Sequence, residues 1–322
     1  MHLTVKQIRW ESDGVVSLTL VDPSGSELPA WEPGAHVEAH LPTGLVRHYS
    51  LCGSVDDPTC YRVAVLRDRR SRGGSRFVHE DLRVGARLDI RGPRNRFPFT
   101  PAARVEFVAG GIGITPILPM VREAVRRDLD WRLWYGGRTR SAMAFVDELC
   151  ALDTGRVRLF PADRDAFIDL DAALGRPADD TAVYCCGPES LLRSVQDRCA
   201  GWPEGALHYE RFVAPRTAED PAARGVQTAA GDGTDVFVVV ADSSGAEVKV
   251  PAGRSILEAL EDANVAAPFS CREGICGTCE VRVLEGIPDH RDLVLSDDER
   301  RTGNSMMICV SRARSPRLVI EL

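Results

Sequence analysis

The chain reads as a multidomain protein: an antiparallel β-barrel, then an α/β segment on a parallel sheet, then a small α+β segment. Three observations separate these classes. Residues 1–101 carry short alternating apolar–polar runs punctuated by Gly, Pro and Asp, and residues 102–213 alternate short apolar runs with helical periodicity. Residues 234–322 open on a hairpin pattern and hold a tight cluster of cysteines.

In the first segment the runs are LTVKQIRW, VVSLTLVD, HVEAHL, HYSL, YRVAVL and RLDIRG. Period-two alternation between turn residues is the pattern of a small antiparallel barrel. One helical stretch, Ser75–Leu82, interrupts it. The second segment has strands VEFVAG, WRLWYGG, VRLFPAD and TAVYCCG, with helical patterns at Thr115–Arg127, Ala142–Leu152 and Glu189–Cys199. Strand–helix alternation predicts a parallel sheet covered by helices on both faces.

Residues 214–233, APRTAEDPAARGVQTAAGDG, lack periodicity and are rich in Ala, Gly, Pro and Asp, so they read as a linker. The third segment begins with VFVVVADSSGAEVKV, a hairpin with Ser-Ser-Gly at its turn, followed by a helix at Ile256–Asp262, the cysteine loop and closing strands.

Composition bounds the class. With 322 residues, 44% hydrophobic and 27% charged, the chain is ordinary for a soluble globular protein of two or three domains. No run approaches the ~18 unbroken apolar residues of a membrane span. The N-terminus, MHLTVKQIRWESDG, has no basic region followed by an apolar core, so no secretory leader is expected. Six of the ten cysteines (Cys52, Cys60, Cys150, Cys185, Cys186, Cys199) do not form a disulfide framework, and a reducing cytoplasm fits. From residue 215 onward there are 12 Lys+Arg and 18 Asp+Glu, which is −6 of the chain's −7. An acidic last segment would steer toward a basic docking patch, or would be a solubilising face. No basic stripe suggests nucleic acid.

The most specific motif is Cys271, Cys276 and Cys279 in a C-x4-C-x2-C loop, with Cys309 following after 29 residues. Two irons bridged by two sulfides need four thiolates, and this is the plant-type [2Fe–2S] spacing. Gly274, Gly277 and Thr278 let one loop wrap a cluster, and Cys309 arrives from the apolar Met306-Met307-Ile308. Zinc is the competing metal, but its sites usually pair short C-x2-C knuckles; a disulfide pair or buried thiols is the structural alternative.

Arg47-His48-Tyr49-Ser50-Leu51 lies on a barrel strand. A flavin needs an aromatic face, a hydrogen-bond donor near its reactive edge and a cation for its phosphate. Tyr49, Ser50 and Arg47 offer these, with Arg47 and Tyr49 on one face of the strand. A packed Tyr beside an exposed Arg is the plainer reading. Arg72-Gly73-Gly74-Ser75 precedes a helix, where glycines let backbone N–H groups approach a phosphate; a simple turn is the alternative. Gly110-Gly111-Ile112-Gly113-Ile114-Thr115-Pro116 joins a strand to a helix and suits a dinucleotide pyrophosphate, although it is not the G-x-G-x-x-G fingerprint. Cys186-Gly187-Pro188 ends another strand, so both turns fall on the ligand edge of an open parallel sheet. His208-Tyr209-Glu210-Arg211-Phe212 closes the second segment.

Together RHYSL, RGGS, GGIGITP, CCGP and HYERF, followed by the cysteine loop, resemble the phthalate dioxygenase reductase family, which includes the vanillate demethylase reductases. The resemblance covers essentially the whole chain. It implies a ferredoxin–NADP reductase-like pair of domains and a C-terminal plant-type ferredoxin of the β-grasp type. It also implies FMN as flavin, NADH as donor and a Rieske-type terminal oxygenase as acceptor; a monomer is the plain expectation for such a chain.

Residue by residue, the resemblance implies that Arg47, His48, Tyr49 and Ser50 hold the flavin, with Val65, Leu66 and Arg67 continuing the contact. Arg72, Gly73, Gly74 and Ser75 would bind its phosphate. Gly110, Gly111, Gly113, Thr115 and Pro116 would form the nucleotide site, with Cys186, Gly187 and Pro188 near the nicotinamide. Ser50, Cys186, Glu210 and Phe212 would line the reacting centre, Phe212 covering the flavin. Arg138 and Arg140 stand where a 2′-phosphate would be met, which leaves NADPH open. Two rivals remain: a reductase for a haem monooxygenase, and a redox sensor, against which the nucleotide site argues.

Overall fold

The computed structural model describes residues 1–68, 73–164, 166–212, 236–269, 272, 274, 277–292, 294–295 and 297–322. The linker reading of 214–233, along with Arg72, Cys271 and Cys276, lies outside the described residues. The chain forms two compact units, Met1–Phe212 and Val213–Leu322.

The first unit begins with six strands: β1 (His2–Ser12), β2 (Val15–Val21), β3 (Ala35–His40), β4 (Val46–Ser50), β5 (Cys60–Leu66) and β6 (Arg87–Asn95). Their order is β4-β3-β6-β1-β2-β5, every pair antiparallel. A bridge between Leu51 and Val63 joins the two edge strands, and the Cys52 N–H donates to the Arg62 carbonyl at 2.8 Å, closing the barrel. Alternation does the sorting: Val37, Ala39, Val63 and Val65 face the core with Leu18, Leu20 and Ile90, as period two demands. Helix α1 (Gly74–Glu80) sends Val78 into that core.

The same unit continues with β7 (Arg104–Gly110), α2 (Ile114–Arg126), β8 (Asp130–Gly137), α3 (Val146–Leu152), β9 (Val157–Pro161), α4 (Leu170–Leu174), β10 (Thr181–Cys186), α5 (Glu189–Arg198) and β11 (Leu207–Glu210). The sheet order is β11-β10-β7-β8-β9, all parallel. Helix α2 buries Ile117, Leu118, Met120 and Val121 completely, and one hydrophobic cluster joins these to barrel residues Val15, Cys52 and Ala64. That shared core makes the barrel and the sheet one unit.

The second unit has β12 (Phe237–Ala241), β13 (Ala246–Val250), α6 (Ile256–Asp262), β14 (Glu280–Glu285), β15 (Pro288–Asp289), α7 (Asp297–Thr302), β16 (Ser305–Met307), β17 (Arg312–Ala313) and β18 (Arg317–Ile320). Five strands form a mixed sheet, β13-β12-β18-β14-β16, in which only β12 and β18 run parallel. Helix α6 starts where the sequence supplies a capping box: the Ser255 hydroxyl accepts the Glu258 N–H, and the Glu258 carboxylate accepts the Ser255 N–H. Among the described residues, no helix is long and apolar enough to cross a membrane.

Candidate functional site

On β4, Arg47 and Tyr49 share one side, as alternation requires, and His48 and Ser50 share the other. Tyr49 packs on the barrel core opposite Val37; its hydroxyl has no partner, and burial pushes its pKa up to about 12 against the opposing charge of Arg47. Gly73 sits at φ 104°, open only to glycine without strain, and a Cβ on Gly74 would collide with the Arg47 side chain. The Arg47 guanidinium and the Gly73-Gly74 backbone thus form one small cradle. Ser75 accepts the Asp68 N–H at 3.2 Å.

Val65 gives its side chain to the barrel core, and its carbonyl meets His79 Nε2 at 2.9 Å. Leu66 is exposed, and Arg67 pairs with Glu80 at 2.6 Å. His48 faces away from the cradle, toward the buried Glu38 carboxylate at 3.9 Å.

Ser50 reaches across to the parallel sheet, where its hydroxyl is bonded to Glu210. Glu210 pairs in register with Cys186 on β10. Burial raises the Glu210 pKa to about 8, the Ser50 bond opposing it, and Glu210 Oε2 has no partner. Burial, followed by the neighbouring Glu210 charge, holds the Cys186 thiol well above its ordinary range, so it stays protonated. Alternation splits the cysteine doublet: Cys186 joins the cluster shared with the barrel, and Cys185 joins the cluster on the other face, with Trp134 and Val195. Phe212 packs on the edge of the shared cluster.

The two glycine turns meet at the carboxyl ends of adjacent strands β7 and β10. A Cβ on Gly110 would lie 2.6 Å from Pro188 Cδ, one on Gly187 would lie 2.9 Å from the Gly110 nitrogen, and one on Gly113 would run into the Cys186 carbonyl. Gly111, at φ 55°, has nothing near the position of an added Cβ. One side of the turn is locked and the other is open. The Thr115 hydroxyl donates to the Ile112 carbonyl at 2.9 Å, so it braces the turn from within, and Pro116 occupies the first turn of α2. Arg140 lies 3.6 Å from Asp147.

In the second unit Cys279 and Cys309 are buried, and the Ile308 N–H donates to the Cys279 carbonyl at 3.2 Å, which draws the two cysteine segments together. Arg272, Gly274 and Gly277 all have positive φ, at 58°, 68° and 67°. A Cβ on Gly274 would lie 2.6 Å from Val310 Cγ2. The donor chemistry and the left-handed backbone at these three described positions fit a thiolate-held cluster.

Sequence reading missed two features. Arg122 on α2 donates to the Cys52 and Gly53 carbonyls and pairs with Glu148 on α3. His36, Glu38 and His40 line one side of β3 beside Ser50. Both depend on cross-strand neighbours, which only the fold supplies.

Residues 239–314 match the model of the 2Fe-2S iron–sulfur cluster binding domain, and residues 107–197 match the oxidoreductase NAD-binding domain. Vanillate O-demethylase oxidoreductase of Pseudomonas sp. is 39% identical over 329 residues, covering 100% of each chain. Phthalate dioxygenase reductase of Burkholderia cepacia is 39% identical over 311 residues, 95% of this chain and 92% of that one. The chain belongs to the phthalate dioxygenase reductase family.

A solved phthalate dioxygenase reductase, described as modular for electron transfer from pyridine nucleotides to [2Fe-2S], superposes with a TM-score of 0.72 at 37% identity, covering 100% of this chain and 98% of that one. A type IV self-sufficient cytochrome P450 monooxygenase gives a TM-score of 0.89 at 43% identity; this chain spans 41% of that one. The family member described here is an oxidoreductase that combines an NAD-binding domain with a [2Fe-2S] domain.

Proposed function

We propose that this protein is the reductase component of a multicomponent oxygenase, taking electrons from NADH through FMN and a [2Fe-2S] cluster to a Rieske-type terminal oxygenase. It acts in the cytoplasm as a monomer, with a flavin domain at 1–101, a nucleotide domain at 102–213 and a ferredoxin domain at 234–322 beyond the linker 214–233. One observation carries the reading: Ser50, on the barrel, is bonded to Glu210 beside Cys186, so a flavin edge and a nicotinamide would meet there.

When bound, the flavin takes a hydride and gives up single electrons, and the cluster carries them one at a time. The chain's own residues position these groups. Arg47 and the Gly73-Gly74 backbone would hold the flavin phosphate, Tyr49 would meet the ring, and Ser50 would fix the reactive edge. The open side of Gly111 takes the dinucleotide, and the neutral Cys186 thiol and Phe212 wall off water. Cys271, Cys276, Cys279 and Cys309 hold the cluster.

A haem monooxygenase as acceptor is the second reading, favoured by the likeness to the self-sufficient P450. The test is Cys276→Ser. The variant should keep NADH-dependent reduction of a small dye and lose reduction of cytochrome c and of a Rieske oxygenase. Loss of dye reduction in a folded, flavin-loaded variant defeats the division of labour, and wild-type protein that reduces a P450 but no Rieske oxygenase selects the second reading.

A further inference from the structure

Resting on the proposed hydride site, we infer that His36, His48, Glu38 and His40 form a proton exit leading from Ser50 to the surface of the barrel. NADH surrenders two electrons and a proton as hydride. If both electrons leave singly through the cluster, NADH yields NAD⁺, two reduced one-electron acceptors and one proton, and that proton must leave a site walled by Cys186, which is buried, and by the buried Glu210 carboxyl oxygen Oε2.

The register supplies a route. Antiparallel pairing sets His36 directly opposite Ser50 and Glu38 directly opposite His48, and paired residues on one face bring their side chains within ~5 Å. His36, Glu38 and His40 alternate along β3 on the side that carries Ser50 and His48. The rings of His36 and His48 are 5.3 Å apart, centre to centre. His48 Nε2 is 3.9 Å from one Glu38 oxygen, and His40 Nε2 is 3.5 Å from the other. These gaps are within a small ring rotation or one water of hydrogen-bond contact. Ser50, His36 and Glu38 are buried, whereas the side chains of His48 and His40 are 19% and 28% exposed.

The surrounding charges suit a relay. Arg94 on β6 is 3.5 Å from Glu38, and Arg91 pairs with Glu38 in register. His36 is held neutral, near pKa 4, chiefly by burial and then by His48, Arg96 and Arg94, with Glu38 opposing. A neutral imidazole has one nitrogen that donates and one that accepts, so it can take a proton on one side while releasing another. His36 Nδ1 is buried without a hydrogen-bond partner, and His40 Nε2 has only its 3.5 Å approach to Glu38, so neither atom is committed to a hydrogen bond.

The experiment is anaerobic stopped-flow of the holoprotein with NADH and excess cytochrome c in weak buffer with a pH-indicator dye. Nicotinamide absorbance reports hydride transfer, cytochrome c reports electron exit, and the dye reports the proton. In wild type, proton release keeps pace with cytochrome c reduction. In His36→Gln and His40→Gln, first-turnover NADH oxidation is expected to be unchanged. Proton release should slow about tenfold or more, with a larger solvent isotope effect, as loss of a proton-transfer group predicts. Added imidazole should restore the rate in His40→Gln, the exposed end, which a purely structural defect would not allow. Release in step with wild type in His40→Gln overturns the exit even if His36→Gln does not fold. Wild type that does not oxidise NADH instead overturns the hydride-site reading beneath it.

Discussion

The Ser50 hydroxyl, on the last residue of β4, is hydrogen-bonded to Glu210, on the last residue of β11, so the ends of two different sheets meet at one buried carboxyl. Burial without a cation leaves that carboxyl protonated near neutrality. The bond therefore joins two neutral groups, and its consequences depend on pH.

Glu210 has a folded-state pKa of about 8 against an ordinary value of 4.5. A raised pKa means that the folded protein holds the proton more tightly, so the associated stability is complete below 4.5 and is lost as pH rises through about 8. Thermal unfolding of wild type between these limits should show a midpoint that falls as pH rises, and Glu210→Gln should flatten that slope. Equal slopes for the two proteins would remove the buried-carboxyl assignment.

Gly113→Ala should be costly. The added Cβ meets the Cys186 carbonyl, which is backbone held in the ladder between β7 and β10, so neither side can yield easily. Overpacking of this kind costs about 1–3 kcal/mol. The two glycine turns should separate and NADH should bind more weakly, with flavin content unchanged. Denaturant unfolding and NADH titration measure the two effects; an unaltered NADH affinity counts against the turn as the nucleotide site.

Gly74→Ala makes the instructive contrast. Its Cβ meets the Arg47 side chain, which is flexible and can swing aside. The fold should survive, but Arg47 would leave the cradle, and flavin should be lost on gel filtration as readily as from Arg47→Ala. Retention of flavin by both variants would show that the cradle holds something else.

The sequence reveals local order better than it reveals contacts. Helix α6 runs over Ile256–Asp262 as the pattern predicts, because its capping box is written in adjacent residues. The helix expected from Ala142 instead starts at Val146: Arg140–Ala142 is a 3₁₀ turn, and Phe145, at φ 61°, breaks the backbone. Helices α4 and α7, of 5 and 6 residues, are too short to display a helical period. At the candidate site the residue types of the cradle and turns are legible as motifs. The bond from Ser50 to Glu210 and the clasp of Gly113 on Cys186 are not, since both arise from tertiary packing between segments distant in sequence.

The relative placement of barrel and parallel sheet also hangs on Arg122. Its guanidinium donates to the carbonyls of Cys52 and Gly53, just past β4, while pairing with Glu148 on α3. Glu148 in turn accepts from Arg62 on β5 at 3.0 Å, and Arg62 lies over the Phe145 ring at 4.7 Å. Arg122→Met keeps an apolar stem of similar length but leaves two carbonyls without their donor and Glu148 without one of its cations. Hydrogen bonds to charged groups contribute about 1.5–3 kcal/mol each, and a loss of that order should appear in denaturant unfolding. Cys52 lies two residues past Ser50, so loosening this joint should slow single-turnover NADH oxidation together with the loss of stability. Arg122→Lys should recover only part of either quantity, since an ammonium lacks the planar fork that serves several acceptors at once. Full stability with slowed hydride transfer would separate the joint's mechanical role from its energetic one, and wild-type values for both in Arg122→Met would mean that the shared apolar core alone sets the alignment.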